Sequence, residues 1–178
     1  MARGAGIELT DVRAGDLPRM LEWINDPELV RLSAPFKPVS PEDHRRWFES
    51  IQDRRDVALF AIREAPGGRL IGSCQLRNID TRHQSAELTI RIGERDCWGR
   101  GLGTEAVRLL LAHGFEALGL NRICLHVFAD NQRAVRAYEK AGFVKEGLMR
   151  QHSRIDGEFK DAVLMAVLRE DFSTGKEK

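Results

Sequence analysis

The sequence predicts an α+β fold, a mixed and mostly antiparallel twisted sheet flanked by helices, in a single domain over residues 1–172 with a disordered polar tail at 173–178. Three observations lead to this. Several β-rich runs are short and come in pairs around strong turn signals, Pro66-Gly67-Gly68 and Ile155-Asp156-Gly157. Segments with helical spacing of apolar residues are interspersed among them and do not follow every strand. Finally, 178 residues suffice for one well-buried core and are few for two.

Taken in order, "IELTDVRAGD" alternates apolar and polar residues as a half-buried first strand does, and Asp16 is a candidate N-cap for the helix "LPRMLEWIND". Asn25, Asp26 and Pro27 stop that helix. A second helix opens at "SPEDHRRWFESI", with Ser40 as cap, Pro41 at the first helical position and Asp43 where an acidic capping-box partner stands. "DVALFAIREAPGGRLIGSCQLRNI" reads as a hairpin and "SAELTIRIG" as a further strand. After a leucine-rich helix comes the strand "NRICLHVFA", then a short helix capped by Asn131 and ended by Gly142. "GFVKEGLMRQ" and "FKDAVLMAVL" close the chain as two strands.

Composition narrows the function. Lysine plus arginine number 28 against 27 acidic residues, so no net field draws the chain to nucleic acid. No run of about eighteen apolar residues and no N-terminal signal pattern appears, which gives the expectation of a cytoplasmic protein outside any membrane. Cys74, Cys97 and Cys124 are an odd, widely spaced set without a CxxC pair, so neither a disulfide framework nor a metal site is expected.

The stretch "WGRGLGTEAVRLLLAHGF" places Gly99, Gly101 and Gly103 at alternate positions directly before a helix. Side chains are absent where backbone N–H groups converge, and the helix N-terminus adds partial positive charge, so a phosphate or pyrophosphate fits there. A glycine-rich turn serving only chain geometry stays open as the simpler reading. No Lys-Ser or Lys-Thr follows, which excludes a P-loop. Gly101, Gly103 and Ala106 spell GxGxxA with Asp130 ending the next strand, but a dinucleotide domain opens with this unit and continues in βαβ repeats, whereas here most of the chain precedes it.

"WGRGLGTEA" followed about thirty residues later by "NQRAVRAYEKAGFVKEG" resembles the two signatures of the GNAT superfamily of acetyl-CoA-dependent N-acetyltransferases. "GDLPRMLEWINDPEL", "PEDHRRWFESI" and "DGEFKDAVLMAVLRED" are similar to its RimJ/RimL-type branch, with ribosomal-protein, spermidine and amino-sugar acetyltransferases. The resemblance implies a GNAT-type acyl-CoA N-acyltransferase fold, acetyl-CoA as cosubstrate and no metal. It implies that Gly99, Arg100, Gly101, Leu102, Gly103 and Thr104 hold the pyrophosphate, with Trp98 at the aromatic position this branch often has. Ile90 and Ile92 then lie on the strand that pairs with the pantetheine arm, and Asn131 contacts that arm besides capping its helix. Relatives often form homodimers, although oligomeric state is not legible in the sequence.

Acetyl transfer from a thioester to an amine requires an unprotonated nucleophile, stabilisation of the developing oxyanion and a proton for the departing thiolate. A lysine-like amine with a pKa near 10.4 is uncharged roughly one time in a thousand at neutral pH, a handicap of about 4 kcal/mol, and an α-amine near 7.7 to 8 loses much less. The resemblance puts the thiolate's proton donor at Tyr138, the chain's one tyrosine. For the general base three alternatives stand: Glu87, preferred because many relatives carry a glutamate there, His126, and an ordered water or other group. A backbone N–H near Ile92 is the expected oxyanion donor. "RLSAPFKPVSPEDHRRWF" leans basic through Arg31, Lys37, Arg45 and Arg46, which lowers a polyamine acceptor, while a solvated charged face over a core holding Trp47 and Phe48 is the plainer reading. The preferred acceptor is therefore the N-terminal α-amine of a protein or peptide. Small amines, either an amino sugar or a polyamine, come second, and a non-catalytic acyl-CoA-binding module is the alternative from another class.

Overall fold

The computed structural model describes residues 2–34 and 36–172, so the polar tail expected at 173–178 lies outside the described residues. Among the described residues eight strands form one sheet in the order β1-β2-β3-β4-β5-β6-β8-β7. They are β1 (Ala2–Arg3), β2 (Ile7–Asp11), β3 (Val57–Glu64), β4 (Leu70–Asp80), β5 (Ser85–Ile92), β6 (Arg122–Phe128), β7 (Val144–Ile155) and β8 (Glu158–Leu168). Every neighbouring pair is antiparallel except β5 with β6. The mixed, mostly antiparallel sheet flanked by helices is the one expected from the sequence.

Among the described residues five α-helices accompany it: α1 (Leu17–Ile24), α2 (Pro27–Val30), α3 (Pro41–Ile51), α4 (Leu102–Ala112) and α5 (Gln132–Lys140). α4 lies on one face, where Ala106, Val107, Leu110 and Leu111 pack on Leu9, Ile62, Leu76, Leu88, Ile123 and Leu125. Burial of that many branched side chains, each worth about 1.5–3 kcal/mol, makes this the principal core. A smaller cluster of Met20, Trp23 and Leu29, joined by Val12, Leu70 and Trp98, seats α1 and α2 beside the end of β5.

Several local expectations hold for the stated reason. Ser40 Oγ accepts the Asp43 N–H at 3.0 Å and Asn131 Oδ1 accepts that of Ala134 at 3.2 Å, so both caps form. Asp16 is a correction. It ends a short 3-10 turn, Ala14–Asp16, in helical backbone geometry, and its side chain accepts no N–H of α1. Its carboxylate instead accepts the Arg13 N–H at 2.8 Å and pairs with Arg63 at 2.7 Å, tying the entry of α1 to β3. The Asn-Asp-Pro stop after α1 also begins α2, because Asp26 Oδ1 accepts the Glu28 and Leu29 N–H groups. α3 packs thinly: His44 is its buried residue together with Ile51, while Trp47 is exposed and Phe48 only half-buried, against the expectation that both aromatics lie in the core. All three cysteines are free.

Candidate active site

The site originates in an interruption of the sheet. β5 and β6 run side by side over three residue pairs, Ser85 with Arg122 through Glu87 with Cys124, and then part. β5 continues along β4 as far as Ile92, and β6 continues along β8 as far as Phe128. Between the diverging strands the backbone groups of each that would have met the other are left facing a gap, an internal sheet edge that can accept an extended amide-bearing chain. A cleft of about 950 Å³ opens there, bounded by Ile90 and Ile92 on one side, by His126 and Phe128 on the other and by α5 and the glycine loop at its mouth.

The loop has the geometry of an anion cradle. Gly99 and Gly101 have φ of 76° and 81°, a left-handed region that side chains rarely enter, and nothing lies within 4 Å of where a Cβ would stand on either. Gly101 precedes α4 without any side-chain cap, so the first N–H groups of the helix remain open. Gly103 and Thr104 line the cleft, whereas the Leu102 side chain is buried in the core and leaves only its backbone for a ligand. Arg100 pairs with Glu64 at 3.3 Å at the rim. Trp98 donates Nε1–H to the Ile92 carbonyl at 2.9 Å, and the Arg133 guanidinium stacks 4.0 Å over its ring, bridging the two lips of the cleft. These uncapped donors and the unpaired strand edge suit a pyrophosphate joined to an extended amide-containing arm.

Asn131 and Tyr138 enter the cleft from the two ends of α5. The Asn131 amide also donates to the Leu32 carbonyl at 3.4 Å. The Tyr138 ring packs edge-on against Phe143 at 5.8 Å, and its hydroxyl has no hydrogen-bond partner among the described residues. Burial pushes the Tyr138 phenol up to about 12. Glu87 stands on the last shared rung of β5 and β6, opposite Cys124, and meets His126 two residues further along β6, with Nδ1 3.5 Å from Oε1. His126 lines the cleft, whereas Glu87 is screened from it and engaged by Arg77 and, at 3.3 Å, by Asn78. Burial raises the Glu87 pKa, but the Arg77 guanidinium and His126 more than offset it and hold the carboxyl below its usual range.

Two neighbours escaped the sequence reading. Arg77 stands opposite Glu87 in the β4–β5 ladder, but a register shift between Arg77 and Asp80 moves the pairing by one residue, so counting back from the turn after Asp80 would have pointed to Asn78 instead. His152 stacks on His126 at 5.5 Å because a bulge in β7 between Met149 and Ser153 lifts it over β8, and no local pattern encodes such a reach.

The chain matches the acetyltransferase (GNAT) domain family over residues 7–144. It is 34% identical over 118 residues to the spermidine N(1)-acetyltransferase of Vibrio cholerae, covering 66% of this chain and 67% of that protein. It is 30% identical over 136 residues to the human alpha/beta-tubulin-N-acetyltransferase 9, covering 70% and 65%. The crystal structure of the Vibrio cholerae spermidine N-acetyltransferase in complex with CoA and spermine superposes with a TM-score of 0.87 at 27% identity, over 93% of this chain and 97% of that one. A family match over most of the chain, joined to a cleft of this construction, makes the chain a member of the GNAT acetyltransferases, an enzyme that transfers acetyl from acetyl-CoA to an amine.

Proposed function

We propose that this enzyme acetylates the α-amine of a peptide or protein N-terminus, using His126 as general base and Tyr138 as proton donor in one catalytic domain over residues 1–172. The observation that carries the reading is the pairing of a cleft-facing histidine with a screened, ionised Glu87 on its Nδ1 side. Glu87, the base preferred from sequence, is held ionised by Arg77, and a carboxylate so stabilised is a weak proton acceptor. The same carboxylate is well suited to orient the imidazole, leaving Nε2 for the acceptor amine.

When bound, acetyl-CoA supplies the activated acyl carbon. His126 takes a proton from the attacking amine, a backbone N–H of the diverging β5 segment near Ile92 donates to the oxygen that gains charge, and Tyr138 gives its proton to the departing sulfur. Gly99, Arg100, Gly101, Gly103, Thr104 and the Leu102 backbone hold the phosphates, while Ile90, Ile92, Trp98 and Asn131 position the arm.

Charge supports the α-amine. Glu105 is the one carboxylate lining the cleft among the described residues, and it already accepts the Gly6 N–H at 2.9 Å. A polyamine finds little there to neutralise it. Likeness to a structure in complex with CoA and spermine favours spermidine as the second reading. Thiol release from acetyl-CoA, followed for N-terminal Ala, Ser and Thr peptides, acidic peptides, spermidine and amino sugars, decides between them. Turnover of peptides well above background is expected; a preference for spermidine would overturn the acceptor assignment and leave the reaction class standing.

The base assignment has its own measurement. His126→Gln is expected to lower kcat by about 10²- to 10⁴-fold with acetyl-CoA affinity retained. Glu87→Gln, which leaves the imidazole less well oriented, is expected to cost less in kcat. An unaltered kcat in His126→Gln would return the role to Glu87 or to water.

A further inference from the structure

One charged group in the cleft has no use in this mechanism. Arg91 lies on β5, half-buried, and makes no ion pair or side-chain hydrogen bond among the described residues. Burial pushes its guanidinium below the usual value with no acid to restore it. An arginine in this condition is costly unless something anionic joins it.

Strand alternation says where it points. Leu88, Ile90 and Ile92 pack toward the core beneath α4, so Glu87, Thr89 and Arg91 project to the opposite face of the sheet. His126, which meets Glu87, opens on that same face. The phosphate cradle belongs to α4 and its preceding loop, on the other face. Arg91 therefore shares the base's side of the cleft, four residues along the strand or about 13 Å of backbone from Glu87, within reach of a group attached to the acceptor. Leu29, Leu32 and Ser33 line the cleft as well and offer no opposing charge.

We infer that Arg91 is a specificity-determining residue that binds a carboxylate borne by the acceptor close to its reacting amine. The enzyme then prefers acidic amines, either a peptide whose first residues include Asp or Glu or a free acidic amino acid, and disfavours polycations. This rests on the acetyl-transfer reading above and adds the acceptor's charge to it.

The test is a two-by-two cycle of wild type and Arg91→Gln against a peptide beginning Glu-Glu and its Gln-Gln counterpart, with free glutamate and glutamine as a second pair. Wild type is expected to favour the acidic member by about tenfold or more in kcat/KM, mainly through KM, and the variant to lose that preference. Arg91→Lys, which keeps the charge but not the bidentate fork, is expected to recover part of it. Which pair responds says whether the carboxylate belongs to a peptide or an amino acid. Equal turnover of acidic and neutral members by wild type overturns the inference and leaves acetyl transfer intact. So does a loss of acetyl-CoA affinity in Arg91→Gln, read by calorimetry, since it would assign the guanidinium to the coenzyme. Absence of turnover with every acceptor, coenzyme binding intact, overturns both.

Discussion

A proton donor must still carry its proton when the leaving group needs it, and Tyr138 meets that condition through its surroundings. Burial destabilises the phenolate and raises the phenol from its ordinary value near 10 to about 12, so the hydroxyl stays protonated throughout the working range. The folded-state pKa lies above the unfolded one, so this group's contribution to stability is complete below about pH 10 and is lost as pH rises toward 12. Because the chain has one tyrosine, phenolate absorbance reports this residue alone. A native midpoint near 12 and a denatured midpoint near 10 are expected. Coincident midpoints would mean a solvated hydroxyl. Tyr138→Phe is expected to lower turnover by about 10²-fold with acetyl-CoA affinity retained, the signature of a group acting only in the chemical step.

At the scale of elements, the loop and the helix it opens act as one unit. Gly101 supplies the left-handed turn and α4 supplies the uncapped N–H groups behind it. Gly101→Glu forces a side chain into a conformation costing about 1–2 kcal/mol and puts a carboxylate in front of the anion site. In wild type, acetyl-CoA at a hundred times its Kd is expected to add about 2.7 kcal/mol of stability. For a chain of this size that is a rise in Tm of about 5–10 °C. The rise is expected to vanish in Gly101→Glu while circular dichroism keeps its native shape. A surviving rise would put the phosphates elsewhere. Caps were readable at this scale when cap and helix were contiguous, as at Ser40 and Asn131. Asp16 misled because a 3-10 turn intervened and Arg63, far along the chain, offered its carboxylate a partner in a half-dry setting.

At the scale of the molecule, charge is distributed against the impression left by composition. A near-zero net charge conceals a cleft lined by Arg91, Arg100, Arg108, Arg133, Arg136 and Lys140 with one acid, Glu105, among the described residues. Those at the glycine loop and α5 surround the end proposed to take the coenzyme's phosphates, and Arg91 is set apart on β5, so on that proposal the asymmetry bears on both substrates. Arg31 and Arg46, from the basic stretch singled out in the sequence, are instead consumed by Asp156 and Asp43. The sequence alone determined most of the strand and helix order, the caps at Ser40 and Asn131, the glycine loop and the position of the one tyrosine, because each depends on residues near one another in the chain. Only the tertiary structure decided which of Glu87 and His126 opens on the cleft, that Arg77 and His152 attend them, and that Arg91 is left without a partner. Those outcomes follow from where β5 and β6 part and from a bulge in β7, and long-range register of that sort is set by the packing of the whole sheet, which no local spacing records.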